Sequence, residues 1–145
     1  MPFKTLFYII FMTLSTANPA NSASDKKLPA CRDSPNCVSS QAQDAKHFIE
    51  PFKISGSPEA AWEALKEALN NQSRMVITHE TDDTLHAEAT SLVFGFVDDI
   101  NVILDRDTNL IHIRSASRTG HSDFGVNRKR IEALRLQLQK AHVID

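Results

Sequence analysis

Apolar and polar residues alternate with two different periods along this chain, and the changes of period mark out its elements. From Ser57 to Asn70 the period is helical, with Ala61, Trp62, Leu65, Ala68 and Leu69 on one face. Ser57 suits a helix cap, Pro58 the first helical position, and Glu59 the positive end of the dipole. Trp62 therefore reads as core. Asn70 and Asn71 end the helix. The period then falls to two in Met75 to Glu80, Thr84 to Ser91, Leu92 to Leu104 and Leu110 to Ala116. Asp82-Asp83 and Asp107-Thr108-Asn109 supply the turns. Gly95 and Asp98-Asp99 interrupt the third segment, which reads as one bulged strand or as two. From Val126 to Lys140 the helical period returns, carried by Ile131, Leu134, Leu138 and Ala141. Short links between alternating strands predict an antiparallel meander. The order helix, strands, helix predicts an α+β fold, an antiparallel sheet of about four strands with an N-terminal and a C-terminal helix packed on one face.

Other segments are less regular. Ser39 to Lys53, with Phe48, Ile49 and Phe52 around Pro51, reads as an irregular or edge segment covering part of the core. Met1 to Lys4 is a short basic start, Thr5 to Leu14 an apolar run, and small residues follow up to Ala17, Ala20 and Ala23. That is the pattern of a secretory signal peptide over residues 1–23. The run is about half of the roughly 20 residues a membrane span needs. Cleavage after Ala17, Ala20 or Ala23 sends the chain to the periplasm or outside the cell. Residues 24–30 read as a flexible lead-in, and residues 31–145 as a single domain.

The 145-residue chain has 16 basic and 18 acidic residues, net −2. Loss of Lys4 with the signal leaves 15 against 18, net −3. A nucleic-acid binder would usually be basic, so that class is set aside.

Cys31 and Cys37 bracket R-D-S-P-N. In an exported protein such a pair reads first as a disulfide, with Ser34-Pro35-Asn36 as the turn. Two thiolates alone make half a zinc site, and a catalytic Cys37 would have to escape oxidation. Leu28 to Cys31 faintly resembles a lipoprotein acylation box. Asp25, Lys26 and Lys27 separate it from the apolar run, so lipidation is rejected.

If Leu85, Ala87 and Ala89 face the core, His86, Glu88 and Thr90 face away. Ile111 and Ile113 inward likewise put His112 and Arg114 outside, where Asn101 and either Asp98 or Asp99 can join them. Two histidines with carboxylates can hold a divalent metal. The same residues suit a solvated sheet face with cross-strand charge pairs, and no metal or cofactor is assigned.

Charge is unevenly spread. Glu80 to Asp107 holds eight acids and one base, and Arg114 to Arg135 six bases and two acids. The junction R-S-A-S-R-T-G-H-S-D-F-G-V-N-R-K-R leads from the last strand into the last helix, with Asp123 or Ser122 able to cap. Gly120 and Gly125 let the backbone approach a ligand, and free N–H groups, Ser115, Ser117 and arginine forks suit a carboxylate or phosphate. The Walker and dinucleotide strings are absent. Ser115 or Ser117 with His121 and Asp123 has the residue types for nucleophilic catalysis, but no nucleophile elbow. Cys37 with His47 or His121 is the other pairing.

S-P-N-C-V-S-S (Ser34 to Ser40), H-A-E-A-T-S (His86 to Ser91), F-G-F-V-D-D (Phe94 to Asp99) and the Arg114 to Ile131 stretch together resemble an uncharacterised family, domain of unknown function 1499, found in bacteria and plants. The resemblance covers nearly all of residues 31–140. It implies that the polar motifs belong to one domain and implies no activity, cofactor or catalytic residue.

The expectation is an exported, non-enzymatic module binding a small anion, an anionic headgroup or an anionic protein partner. Its site would comprise Arg114, Ser115, Ser117, Arg118, Asp123, Asn127 and Arg128, with Asp98 and Asp99 beside them. Two alternatives stand: a hydrolase or transferase using Ser117 or Cys37, and a purely structural motif in which Arg114 or Arg118 pairs with Asp98 or Asp99.

Overall fold

Two segments with little sequence signal add strands to the expected meander. In the computed structural model, which describes residues 26–145, the elements run β1 (Cys37–Ser39), β2 (Phe52–Lys53), α1 (Pro58–Asn70), β3 (Met75–Glu80), β4 (Thr84–Thr90), β5 (Val97–Asp105), β6 (Leu110–Ser117) and α2 (Val126–Lys140). The signal segment read over residues 1–23 lies outside the described residues. The sheet has six strands rather than four, in the order β1-β6-β5-β4-β3, with β2 also pairing β6. β1 lies against Arg114–Ala116 and β2 against Leu110–Ile111, so both extend the edge that the meander would leave open. All named strand pairs are antiparallel.

The third alternating segment is one strand, but it begins only at Val97. Ser91 and Phe96 close a hairpin loop: the Ser91 N–H donates to the Phe96 carbonyl and the Phe96 N–H to Ser91 Oγ. Gly95, at φ 64, turns the chain there. Leu92, Val93, Phe94 and Phe96 are therefore exposed loop residues and not strand.

Both helices begin where capping chemistry puts them. Ser57 Oγ accepts the Ala60 N–H at 3.2 Å. At α2 the left-handed Gly125 holds the cap position without a side chain. Asp123 serves instead, accepting the N–H of Gly125 at 2.8 Å and of Asn127 at 3.0 Å. The helices touch each other, α1 against β3 and α2 against β6 and β1. Ala61, Trp62, Leu65 and Leu69 join Ile131, Leu134 and Leu138 in one buried cluster with Leu85, Ala87, Ile100, Val102, Leu104, Ile111 and Ile113. The opposite face carries His86, Asn101 and Arg114 in one row and Glu88 and Asp99 in the next, with Ile103 also on that side. Among the described residues, no helix is long and apolar enough to cross a membrane.

From Lys26 on, the lead-in is fastened to the domain. Lys26 pairs with Asp105 at 2.6 Å, Leu28 N–H donates to Gln41 Oε1, and Leu28 is buried. The Cys31–Cys37 disulfide closes the next loop. Replacing both cysteines by serine lowers stability by roughly 2 kcal/mol, the chain entropy of so short a loop. Urea denaturation of the variant against the oxidised protein checks this.

Candidate functional site

Period two decides which polar residues meet. In β5 Asp98 shares the inner side with Ile100, Val102 and Leu104, while Asp99 and Asn101 lie outside. The acidic pair is thus split between two assemblies on opposite faces of the sheet.

The inner assembly is a buried clasp between β5, β6 and α2. Asn127, fully buried, accepts from Ser115 Oγ at 2.6 Å and from Arg130 Nη1 at 2.8 Å. Its side-chain amide donates to the Asn36 carbonyl, Ser117 Oγ and Asp123 Oδ2. Arg130 also reaches Asp98 Oδ2 at 2.7 Å, both side chains largely buried. Burial alone would raise the Asp123 carboxyl. The Asn127 amides and the Gly125 N–H outweigh it and hold Asp123 below the usual carboxylate range. The α2 N-terminus therefore already carries a carboxylate of its own chain. Arg128 stands apart, donating to the Lys46 carbonyl.

The outer assembly surrounds a cleft of about 270 Å³ lined by Arg32, Ser34, Asn36, Asp99, Arg114, Ser117 and Arg118, among others. Register puts Asn101 opposite Arg114 and Ser39 on its other side. Arg114 Nη1 donates to Asn101 Oδ1 at 3.1 Å. Its Nε is buried and has no hydrogen-bond partner among the described residues. Burial lowers the Arg114 pKa from its ordinary value, and the Arg32 charge adds to that against the opposing pull of Asp99. An arginine nonetheless stays charged. Three arginines and one aspartate line this cleft, so its charge favours an anion.

Arg118 is paired already. Its guanidinium forks onto Asp99 at 2.8 and 2.9 Å and also reaches Glu88. The Arg118 hydrogen bonds, helped by His86, hold Asp99 below the usual carboxylate range. His86 Nε2 lies 2.8 Å from Asp99 Oδ1. His86, Glu88 and Asp99 bring one ligand atom each within 4.8 Å of one another. The Arg118 guanidinium supplies the positive charge there, so the trio is a charge network built around an arginine. His112 takes no part in it, bonding Ser40 instead.

The loop that carries Arg32 is held by His47. This buried ring sets Nδ1 2.8 Å from Asp44 Oδ1 and Nε2 2.9 Å from the Ser34 carbonyl oxygen. Only the imidazolium donates to both. The Asp44 hydrogen bond, with the Ser34 bond behind it, raises the His47 pKa above its ordinary 6.5. A raised folded-state pKa stabilises most below the unfolded value and is lost as pH rises through the folded one. Stability should accordingly decline as pH climbs above 6.5, and His47→Phe should remove that slope. Melting curves across pH, with an NMR titration of the His47 ring, check both.

Sequence reasoning placed Arg114, Ser117, Arg118 and Asp99 at one site, and these four do line one cleft. Ser115, Asn127, Asp98 and Asp123 belong to the clasp behind it. Arg32 is an addition to the expected site: it lies 82 positions before Arg114 and arrives through the disulfide loop and the β1–β6 pairing. An arginine directly after the first cysteine was the available signal. Arg130, read only as part of a basic run, is the arginine that meets Asp98. Cys37 is in a disulfide, and Ser117 Oγ is bonded by the Asn127 amide.

These features define an α+β domain with a six-stranded sheet, a stapled N-terminal loop and a polar clasp at the root of its last helix. The chain matches the family described as "Protein of unknown function (DUF1499)" over residues 27–138, and it belongs to that family. No curated protein matches it.

Proposed function

We propose that this domain is a non-enzymatic binding module for a small anion, taken up in the cleft between Arg32 and Arg114. One observation carries the reading: Arg114, which lines that cleft, keeps a buried Nε with no hydrogen-bond partner among the described residues. A buried unsatisfied donor costs about 1–3 kcal/mol. An oxyanion held by the Arg114 guanidinium between Arg114 and Arg32 would turn a repulsion into two attractions. The cleft's size suits a phosphate or short carboxylate rather than a large ligand. The ligand set narrows accordingly to Arg32, Arg114 and Ser117, with Arg118 held at the rim by Asp99. Export belongs to the same reading, and the disulfide supports an oxidising compartment.

The structural alternative accounts for the clasp, where every arginine and carboxylate is matched. It also accounts for Arg118, which forks onto Asp99, and for the Arg114 bond to Asn101, and leaves the Arg114 Nε without a partner. Catalysis by Ser117 or Cys37 has less support, because one is bonded by an amide and the other is oxidised. A thermal-shift screen of inorganic phosphate, sulfate and short carboxylates tests the proposal. At about 100 times its Kd a ligand stabilises by about 2.7 kcal/mol. Arg32→Ala should reduce the shift to about half or less at the same ligand concentration, and an unaltered shift in that variant would defeat the assignment.

A further inference from the structure

Exposed apolar side chains are gathered at one end of the sheet. Leu92, Val93, Phe94, Phe96, Phe124 and Val126 are six of nine large apolar residues exposed among the described residues. Leu92, Val93 and Phe94 are 75–78% exposed, and Phe124 is 89% exposed. Register puts them together. Thr90 pairs with Val97 at the base of the Ser91–Phe96 loop, and the Arg118 N–H donates to the Val97 carbonyl. The chain leaves β6 at that level, and Asn127 ties the first turn of α2 back to Ser117. The Phe94 and Phe96 rings stack on each other, with centroids 5.4 Å apart. A Cβ added at Gly95, Gly120 or Gly125 would meet nothing within 4 Å. The Leu92–Phe96 loop and the Phe124 turn thus open to solvent, while Gly120 lines the anion cleft.

The charge at this end is one-sided. Glu88 and Asp99 are taken by Arg118, Asp98 by Arg130, and Asp123 by the α2 backbone. Arg74 and Arg128 bond only backbone carbonyls, of Thr90 and Lys46. Lys129 is exposed. None of these three bases makes an ion pair among the described residues. Arg128 and Lys129 also stand in the first turn of α2, where the macrodipole disfavours cations.

We propose that this end docks on an anionic lipid surface, inserting the Leu92–Phe96 loop and Phe124 among the acyl chains while Arg74, Arg128 and Lys129 meet the headgroups. Apolar patches of this kind mark interaction surfaces. Apolar tips ringed by bases suit the membrane interface, where each base near the surface adds attraction. Protruding tips fit a fluid phase without a matched cavity, which a protein partner would have to supply. The proposal uses none of the residues given to the anion cleft.

The test uses the full chain with a reporter at a chosen place, so that binding through any other segment is distinguished. Phe94→Trp and Phe124→Trp are compared with Leu136→Trp, an exposed position ten residues along α2 from Val126. The natural Trp62 is buried and gives a constant background. Vesicles of phosphatidylglycerol and phosphatidylcholine carry brominated chains. Emission at positions 94 and 124 should move to the blue and be quenched, and emission at position 136 should not. Arg128→Ala with Lys129→Ala should weaken vesicle affinity by roughly tenfold or more. Unchanged emission at position 94, or equal quenching at position 136, would overturn the proposal. A blue shift that follows protein concentration without vesicles would assign the surface to a second copy of the chain and overturn it too.

Discussion

Arg130→Ala should lower the melting temperature by roughly 10–20 °C, the largest effect expected of any single polar substitution here. Removing one partner of a buried pair costs about 3–5 kcal/mol, because the other charge stays buried and alone. For a domain of this size that corresponds to the stated fall. Arg130 holds three groups at once: Asp98 Oδ2, Ser115 Oγ and Asn127 Oδ1. Its loss leaves the Asp98 carboxylate on the core side of β5 with no cation. Arg130→Lys keeps the charge but not the fork, so it should fall between. Lys53→Ala is the control, since Lys53 and Asp145 are both exposed and such pairs add little to stability. Thermal denaturation followed by circular dichroism measures all three.

Arg114 should behave in the opposite way. Arg114→Ala should move the melting temperature by no more than about 3 °C, since the lost Asn101 bond is offset by removal of an unsatisfied buried donor and a repulsion. Its anion affinity should fall by about tenfold or more, the worth of one charge-assisted hydrogen bond. Combined with Arg32→Ala, binding should be lost. A residue whose removal spares the fold but weakens binding is serving a ligand. A fall of several degrees with binding intact would instead place Arg114 in the structural network.

Much of this was legible in the chain because period and capping are local. α2 has the bounds its spacing predicts, α1 starts after Ser57, and β3 and β6 differ from expectation by a residue at most. Ser39 to Lys53 reads as irregular or edge, and its end does form the edge strand β2, but neither β1 nor β2 is legible as a strand because three- and two-residue strands show no alternation and exist only through pairing with β6. The Leu92–Phe96 stretch looked like strand because it is apolar, yet its side chains face solvent at a hairpin tip. At the site, alternation alone could have separated Asp98 from Asp99, because Ile100, Val102 and Leu104 fix the inner side. Which arginine meets which carboxylate was beyond reach, since Arg130–Asp98 and Arg118–Glu88 span 32 and 30 residues. The contribution of Arg32 depends on pairing at longer range still.

On the proposed reading, the Arg114 guanidinium takes up the anion. The direct measurement is an NMR titration of the arginine Nε–H resonances with inorganic phosphate, and then with acetate. The Arg114 resonance should move and saturate with one of them, Arg32 should respond with it, and Arg130, already satisfied by Asp98, should stay in place. An Arg114 resonance that never moves, or arginines that all drift together without saturation, would contradict the account.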